Sequence, residues 1–437
     1  MGTEVKNRKK RKTFVRRALL GALLLIVPLF FLTGRSATSF DRNVIREYGD
    51  PEAPAPEIQA EAASIYSLDM DRSVFEKNGD KKIDPYSITK ILTCYLALEN
   101  LDPKQEVTIS AKTAEQVYED GAYILLFEGE KMTVDDLLHA TMLSSANDAA
   151  YALAEIVGGS QKEFAKMMND QVKEWGCTNT NFVNPNGWKN KNHYTTAHDM
   201  AVITARCFEN DDLRKLSMEK EYTIPATNKF EAKDLFNVFM KSTEKIDNIT
   251  CGKTGSWEED DCSIVLEFEE NYIRAAMVLL RDTMKKRPSD IKKLMEFSHR
   301  VTPGFIVAEE GDVVCKADVK GGAVTETNLA FDKTVFAYPK DSDKSAIKVS
   351  LEADGIEAPL KAGQKVGTYS VMVDDKELTK GDLLAEEDVE KGWFLSRFYI
   401  SNKETLALGL FIVCIIIFEV ILSLLTSKRR TTYKGKH

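Results

Sequence analysis

Between residues 84 and 100 the apolar side chains Ile88, Ile91, Leu92, Tyr95 and Leu96 recur at the i, i+3, i+4, i+7 spacing of one helical face, with Ser87 at the start of the predicted helix. The same period returns over residues 134–143, over 148–157 until Gly158-Gly159, over 160–175 and over 196–207. Ser160 with Glu163 reads as a capping box, and Gly176 as the matching stop. The pattern then changes to β-rich runs at 248–255, 262–268 and 272–280, the last two joined by a short polar turn, before a helix at 289–299. A helical block set between strands that assemble into one sheet predicts an α+β domain over residues 58–300.

Residues 301–395 carry no helical period. Alternating stretches at 346–351 and 366–373, with turn signals at Gly363 and at Asp374-Asp375, predict a small all-β domain that acts as a spacer. Residues 41–57 read as a linker, because 50–56 (DPEAPAP) is Pro-rich and aperiodic. Two continuous apolar runs frame the chain. The first, 18–32 within a basic leader of residues 1–40, fits a signal peptide, with small residues at Gly34 and Ser36 before Ala37, or an uncleaved signal anchor. The second, 406–425, matches the thickness of a bilayer core and is followed at once by Lys428, Arg429 and Arg430 in a basic tail of residues 426–437. Its one charge is Glu419.

Charge refines this picture. The net charge of the 437-residue chain is −9, yet the stretch to Arg17 holds eight Lys/Arg against one Asp/Glu, so the body between the apolar runs is strongly acidic. An acidic body argues against nucleic acid, and basic flanks beside apolar runs mark the cytoplasmic side. The C-terminal helix then ends inside, and residues from about 40 to 400 lie on the extracellular face of the membrane. The seven cysteines are scattered without C-x-x-C spacing, which supports neither a disulfide framework nor a zinc knuckle. His139, His193, His198, His299 and His437 form no H-E-x-x-H cluster, so no metal site is expected.

The candidate chemistry begins with Ser87-Ile88-Thr89-Lys90, which places a hydroxyl and an amine on one side of a helix start. Alone this spacing says little, since Ser217/Lys220, Ser242/Lys245, Ser289/Lys292 and Ser345/Lys348 repeat it. Order supplies the discrimination: Ser145-Ala146-Asn147 stands in a turn between two predicted helices, and Lys253-Thr254-Gly255 on a predicted strand, followed by Ser256. A nucleophile, a base, a proton donor for a departing amine and a cation for a terminal carboxylate are the parts that acyl transfer from a peptide requires. Singly, the alternatives are a Ser145/Asn147 helix cap and a strand ending in a turn.

The three motifs in this order match the S-x-x-K, S-x-N and K-T-G signature, and the chain resembles the low-molecular-mass penicillin-binding proteins of the D-alanyl-D-alanine carboxypeptidase family of serine peptidases. The likeness extends to residues 85–93, 128–133, 147–150 and 181–187 in the catalytic domain and to 358–367 in the β domain. It implies a penicillin-binding-protein/β-lactamase-like fold and an acyl-enzyme on Ser87, with Lys90 as base and Ser145 passing a proton to the departing D-alanine. Asn147 completes the catalytic set, and Lys253, Thr254 and Gly255 hold the substrate. Backbone N–H groups of Ser87 and Ser256 would form the oxyanion hole. Peptidoglycan stem peptides are the implied substrates and β-lactams the implied inhibitors, with no cofactor. Ala146, Cys251-Gly252 and Ser256-Trp257 depart from the family's pattern and bear on substrate preference. A β-lactamase would need a dedicated deacylating Glu loop, which no segment resembles. A D,D-endopeptidase would use the same residues in a wider groove, and an inactive scaffold would be expected to have lost some of them.

Overall fold

The computed structural model describes residues 38–116, 121–353 and 355–431. The basic leader, its apolar run at 18–32 and the end of the basic tail lie outside them. The chain divides into two compact units, one formed by residues 47–305 with 336–344 and the other by residues 306–335 and from 345 onward together with the segment before Glu47.

The first unit is built on one antiparallel sheet of five strands: β1 (Ala62–Ser67), β2 (Arg72–Lys77), β3 (Ile249–Glu258), β4 (Asp261–Glu270) and β5 (Ile273–Asp282), in the order β2-β1-β5-β4-β3. Along β5, Ala276, Val278 and Leu280 enter one apolar cluster, while Ala275, Met277 and Leu279 enter another on the opposite face. Both faces of this strand are therefore covered, so it reads as a continuous apolar run rather than an alternation. The sequence pattern missed β1 for the same reason, since all six of its residues are buried.

Helices α1 (Lys90–Asn100), α2 (Val134–Met142), α3 (Asn147–Gly158), α4 (Gln161–Glu174) and α5 (Ala197–Cys207) supply the first cluster, and α6 (Arg287–Val301) the second through Ile291, Leu294 and Met295. Local chemistry sets their ends. Ser160 and Thr196 cap α4 and α5 through the Glu163 and Asp199 amides, Gly159 ends α3 in the left-handed region, and the complete capping box of the unit is Thr133/Asp136 at α2. The Pro-rich stretch read as a linker carries a docked residue: Ala53 is buried against Phe297 and Val301 of α6, because the Asp50 amide donates to the Arg300 carbonyl.

The second unit holds another five-stranded antiparallel sheet, β6 (Val313–Asp318), β7 (Glu326–Phe331), β8 (Ile347–Glu352), β9 (Lys365–Val373) and β10 (Lys376–Ala385), ordered β6-β7-β10-β9-β8. Asp374 and Asp375, both at positive φ (49° and 61°), make the two-residue turn between β9 and β10. Its last element, α7 (Asn402–Thr431), contains a span at 402–421 that is long and apolar enough to cross a bilayer and is unburied by protein. All seven cysteines are free thiols, and only Cys414, within that span, is exposed.

Candidate active site

Ser87 lies in a single 3-10 turn, Tyr86–Thr89, that leads directly into α1, with Tyr86 held at φ 55°. One helical turn later Lys90 is fully buried, and its Nζ sits 2.8 Å from Ser87 Oγ, 2.8 Å from Asn147 Oδ1 and 3.0 Å from the Asn186 carbonyl. These three partners suit a neutral amine. The two carbonyl oxygens can only accept, so they take its two N–H groups, and the lone pair is left for the Ser87 hydroxyl proton. Burial pushes the Lys90 pKa well below that of an exposed lysine, and the neighbouring Lys253 ammonium pushes the same way.

The second motif comes from the other end of the helical block. Ser145 sits at φ 59° between α2 and α3, and its Oγ accepts from Lys253 Nζ at 3.0 Å. Neither Ser145 nor Asn147 caps α3, whose N-cap residue is Ala146 with no side-chain bond, so both side chains are free for the cleft. Asp148 fixes the facing wall: its buried carboxylate accepts from the amides of Ile124, Leu126 and Ala149, while the Asn147 amide donates to the Ala122 carbonyl. Burial raises the Asp148 pKa, and those amides oppose the rise.

The third motif arrives on β3, which runs on to Glu258 beyond the predicted end at residue 255, as the outer strand of its sheet. Lys253 is buried and its pKa falls to about 8 because its charge is desolvated. Its ammonium donates to Ser145 Oγ and to the Thr254 carbonyl, and among the described residues its third N–H has no partner. Glycine at 255 is a steric demand: a Cβ there would lie 2.9 Å from the Ser87 amide nitrogen. The strand thus passes directly against the backbone of Ser87. Ser256 is the first exposed residue of β3 and lines the same cleft of about 530 Å³ as Ser87, Ser145, Asn147 and Thr254.

The structure therefore gathers the predicted site residues: Ser87, Ser145, Asn147, Thr254, Gly255 and Ser256 line one cleft, the buried Lys90 and Lys253 reach Ser87 and Ser145 from behind it, and three further residues join them that spacing did not disclose. Asn186 contributes a backbone carbonyl. Gly187, at φ 80°, passes so close to the Tyr86 carbonyl that a Cβ would lie 1.8 Å from its oxygen. His193 is buried and neutral, its pKa depressed by burial to about 3. Its Nδ1 accepts from the Val183 amide, so Nε2 carries the proton toward Thr89 Oγ1 at 3.1 Å, which ties the 181–194 segment to the nucleophile's turn. The family likeness at 181–187 was the signal that pointed here. By contrast, Ser217 and Ser242 donate to the carbonyls of Arg214 and Phe239 within their own helices, which commits each hydroxyl proton to a local partner.

Comparison with known proteins identifies the family of both folded parts. The D-alanyl-D-alanine carboxypeptidase family model matches residues 50–284, and the model of the penicillin-binding protein 5 C-terminal domain matches residues 305–391. The chain is 29% identical over 343 residues to the D-alanyl-D-alanine carboxypeptidase DacF of Bacillus subtilis, covering 77% of this chain and 88% of that one. It is 28% identical over 358 residues to DacC of Escherichia coli, covering 79% and 88%. Among solved structures, penicillin-binding protein 5 of Haemophilus influenzae superimposes with TM-score 0.53 and 26% identity, covering 78% of this chain and all of that one. The Streptomyces K15 DD-transpeptidase gives TM-score 0.51 and 26% identity, covering 56% and 98%.

Proposed function

The chain belongs to the D-alanyl-D-alanine carboxypeptidase family of serine peptidases, and on that premise we propose how its cleft removes the terminal D-alanine of a peptidoglycan stem peptide. Neutral Lys90 takes the Ser87 proton as Ser87 Oγ attacks the carbonyl of the penultimate D-alanine. The oxyanion that forms is stabilised by the backbone N–H groups of Ser87 and Ser256. Ser145 hands a proton to the departing D-alanine amine and takes back the one held by the Lys90 ammonium, which returns Lys90 to its neutral form, and Asn147 keeps Lys90 oriented. Lys253 and Thr254 hold the terminal carboxylate, for which the remaining Lys253 N–H is suited. Water then hydrolyses the acyl-enzyme, and a β-lactam acylates Ser87 by the same steps. The observation that carries this reading is the buried Lys90 amine held against Ser87 Oγ and two carbonyl oxygens.

The 58–300 domain performs this chemistry, and the small β domain spaces it from the bilayer. The 402–421 span anchors the chain, with the basic residues after it on the cytoplasmic side and the cleft on the outer face.

Incubated with a pentapeptide ending in D-Ala-D-Ala, the protein releases free D-alanine and is labelled by penicillin. Labelling without release would instead favour cross-link cleavage, and absence of both would remove the enzymatic reading. The pH profile has two limbs. Lys90 must be deprotonated to act as base, so the acid limb rises through its lowered pKa, far below the usual lysine range. Lys253 must stay protonated to bind carboxylate, so kcat/KM falls as pH rises through about 8. A profile still rising above pH 9 would contradict the assignment of Lys253.

A further inference from the structure

Along β3, Lys253, Thr254 and Gly255 are buried whereas Ser256, Trp257 and Glu258 are exposed on the free edge of the sheet. A substrate with its carboxylate at Lys253 and its scissile carbonyl at Ser87 must carry its acyl portion toward Ser256, Trp257 and Glu258, antiparallel to β3. At about 3.3 Å per residue, Trp257 stands roughly 13 Å along the strand from Lys253. That is within reach of a long side chain on the residue third from the substrate's C terminus.

What this end of the cleft presents is the exposed ring of Trp257, backed by the buried Tyr86 and flanked by Trp188. Trp257 stacks on Tyr86 at 6.2 Å and meets Trp188 edge-on at 5.3 Å, and all three line the cleft together with Glu258. One of the chain's own cations already sits at these rings: Lys189 Nζ lies 5.1 Å from the Trp257 ring centroid and 5.8 Å from that of Tyr86. Lys189 is exposed, and among the described residues it has no carboxylate partner. Glu258, Glu259 and Asp260 follow on the adjoining strand end and turn, and they are likewise without ion pairs among the described residues. An incoming anion would meet these carboxylates, whereas an ammonium would meet both them and the negative faces of the rings.

We propose that Trp257, backed by Tyr86 and flanked by Trp188 and Glu258, forms a subsite for a primary ammonium on the side chain of the residue third from the substrate's C terminus, and that Lys189 is the internal cation it displaces. This subsite rests on the carboxypeptidase reading and refines its substrate. Stem peptides whose side-chain amine is free are preferred over those whose amine is acylated in a cross-link.

The test uses the full-length protein in detergent and three pentapeptides ending in D-Ala-D-Ala that differ only at the third residue from the C terminus: lysine, Nε-acetyl-lysine or norleucine. D-alanine release from the lysine peptide is expected to have a kcat/KM about tenfold above the other two. Trp257→Leu brings that ratio toward one. Lys189→Met raises it by removing the competitor, a change that a purely structural Trp257 would not produce. Equal rates on all three peptides, or a ratio unmoved by Trp257→Leu, overturn the subsite and leave the carboxypeptidase standing. No release from any peptide overturns the carboxypeptidase and the subsite with it.

Discussion

Ser87→Ala protein is expected to release D-alanine at least about 10⁴-fold more slowly than the parent and to take up no labelled penicillin, while its thermal unfolding is unchanged within a few degrees. The hydroxyl is the only group removed, and its one described partner, Lys90 Nζ, keeps two carbonyl contacts. Lys90→Met retains the volume and the nucleophile but removes the lone pair. It should slow acylation by about 10³-fold or more, read as the rate of penicillin labelling. Labelling of Lys90→Met at the parental rate would show that some other group takes the Ser87 proton.

Gly187→Ala should lower both stability and activity without touching a reacting atom. The added methyl would lie 1.8 Å from the Tyr86 carbonyl oxygen, in a backbone conformation at φ 80° that side chains disfavour. The clash has no flexible partner, so the 184–188 segment must move away from the nucleophile's turn, taking the Asn186 carbonyl from Lys90. A loss of about 3 kcal/mol is expected, seen as a fall in Tm of roughly 6–12 °C, together with at least about a tenfold drop in kcat. Gly159 is the contrasting position. It too has a positive φ, 69°, but open space surrounds it, so Gly159→Ala should cost only about 1 kcal/mol and leave kcat alone. Equal effects at both sites would mean that strain in φ, and not the contact with Tyr86, governs Gly187.

The helices bearing the first two motifs were legible because their apolar residues keep a 3.6-residue period over several turns and their ends carry local signals. Thr196 before α5 and the double glycine after α3 act through bonds a few residues away. The outer strands of the β domain were legible for a related reason, since alternation and the Asp374-Asp375 turn are local. Strand β1 was not, because a strand covered on both faces loses its alternation. Its place beside β5 depends on pairings such as Ala275 with Ser67, more than two hundred residues apart.

By itself the sequence determined the kinds of groups available for catalysis, their order along the chain and the acidic body set between apolar ends. Each follows from residue identity and short-range spacing. Motif order had singled out Ser87/Lys90 among five Ser/Lys pairs, but tertiary structure alone supplied the lowered basicity of Lys90, because burial that strips its water, with the nearby Lys253 charge, is made by the whole core. Tertiary structure also made Asn186 a partner of Lys90, required glycine at 187 and 255 where two backbones nearly touch, and laid Lys189 across the ring of Trp257. All of these are contacts between segments distant in sequence, and no local pattern of residues carries the geometry of a long-range approach.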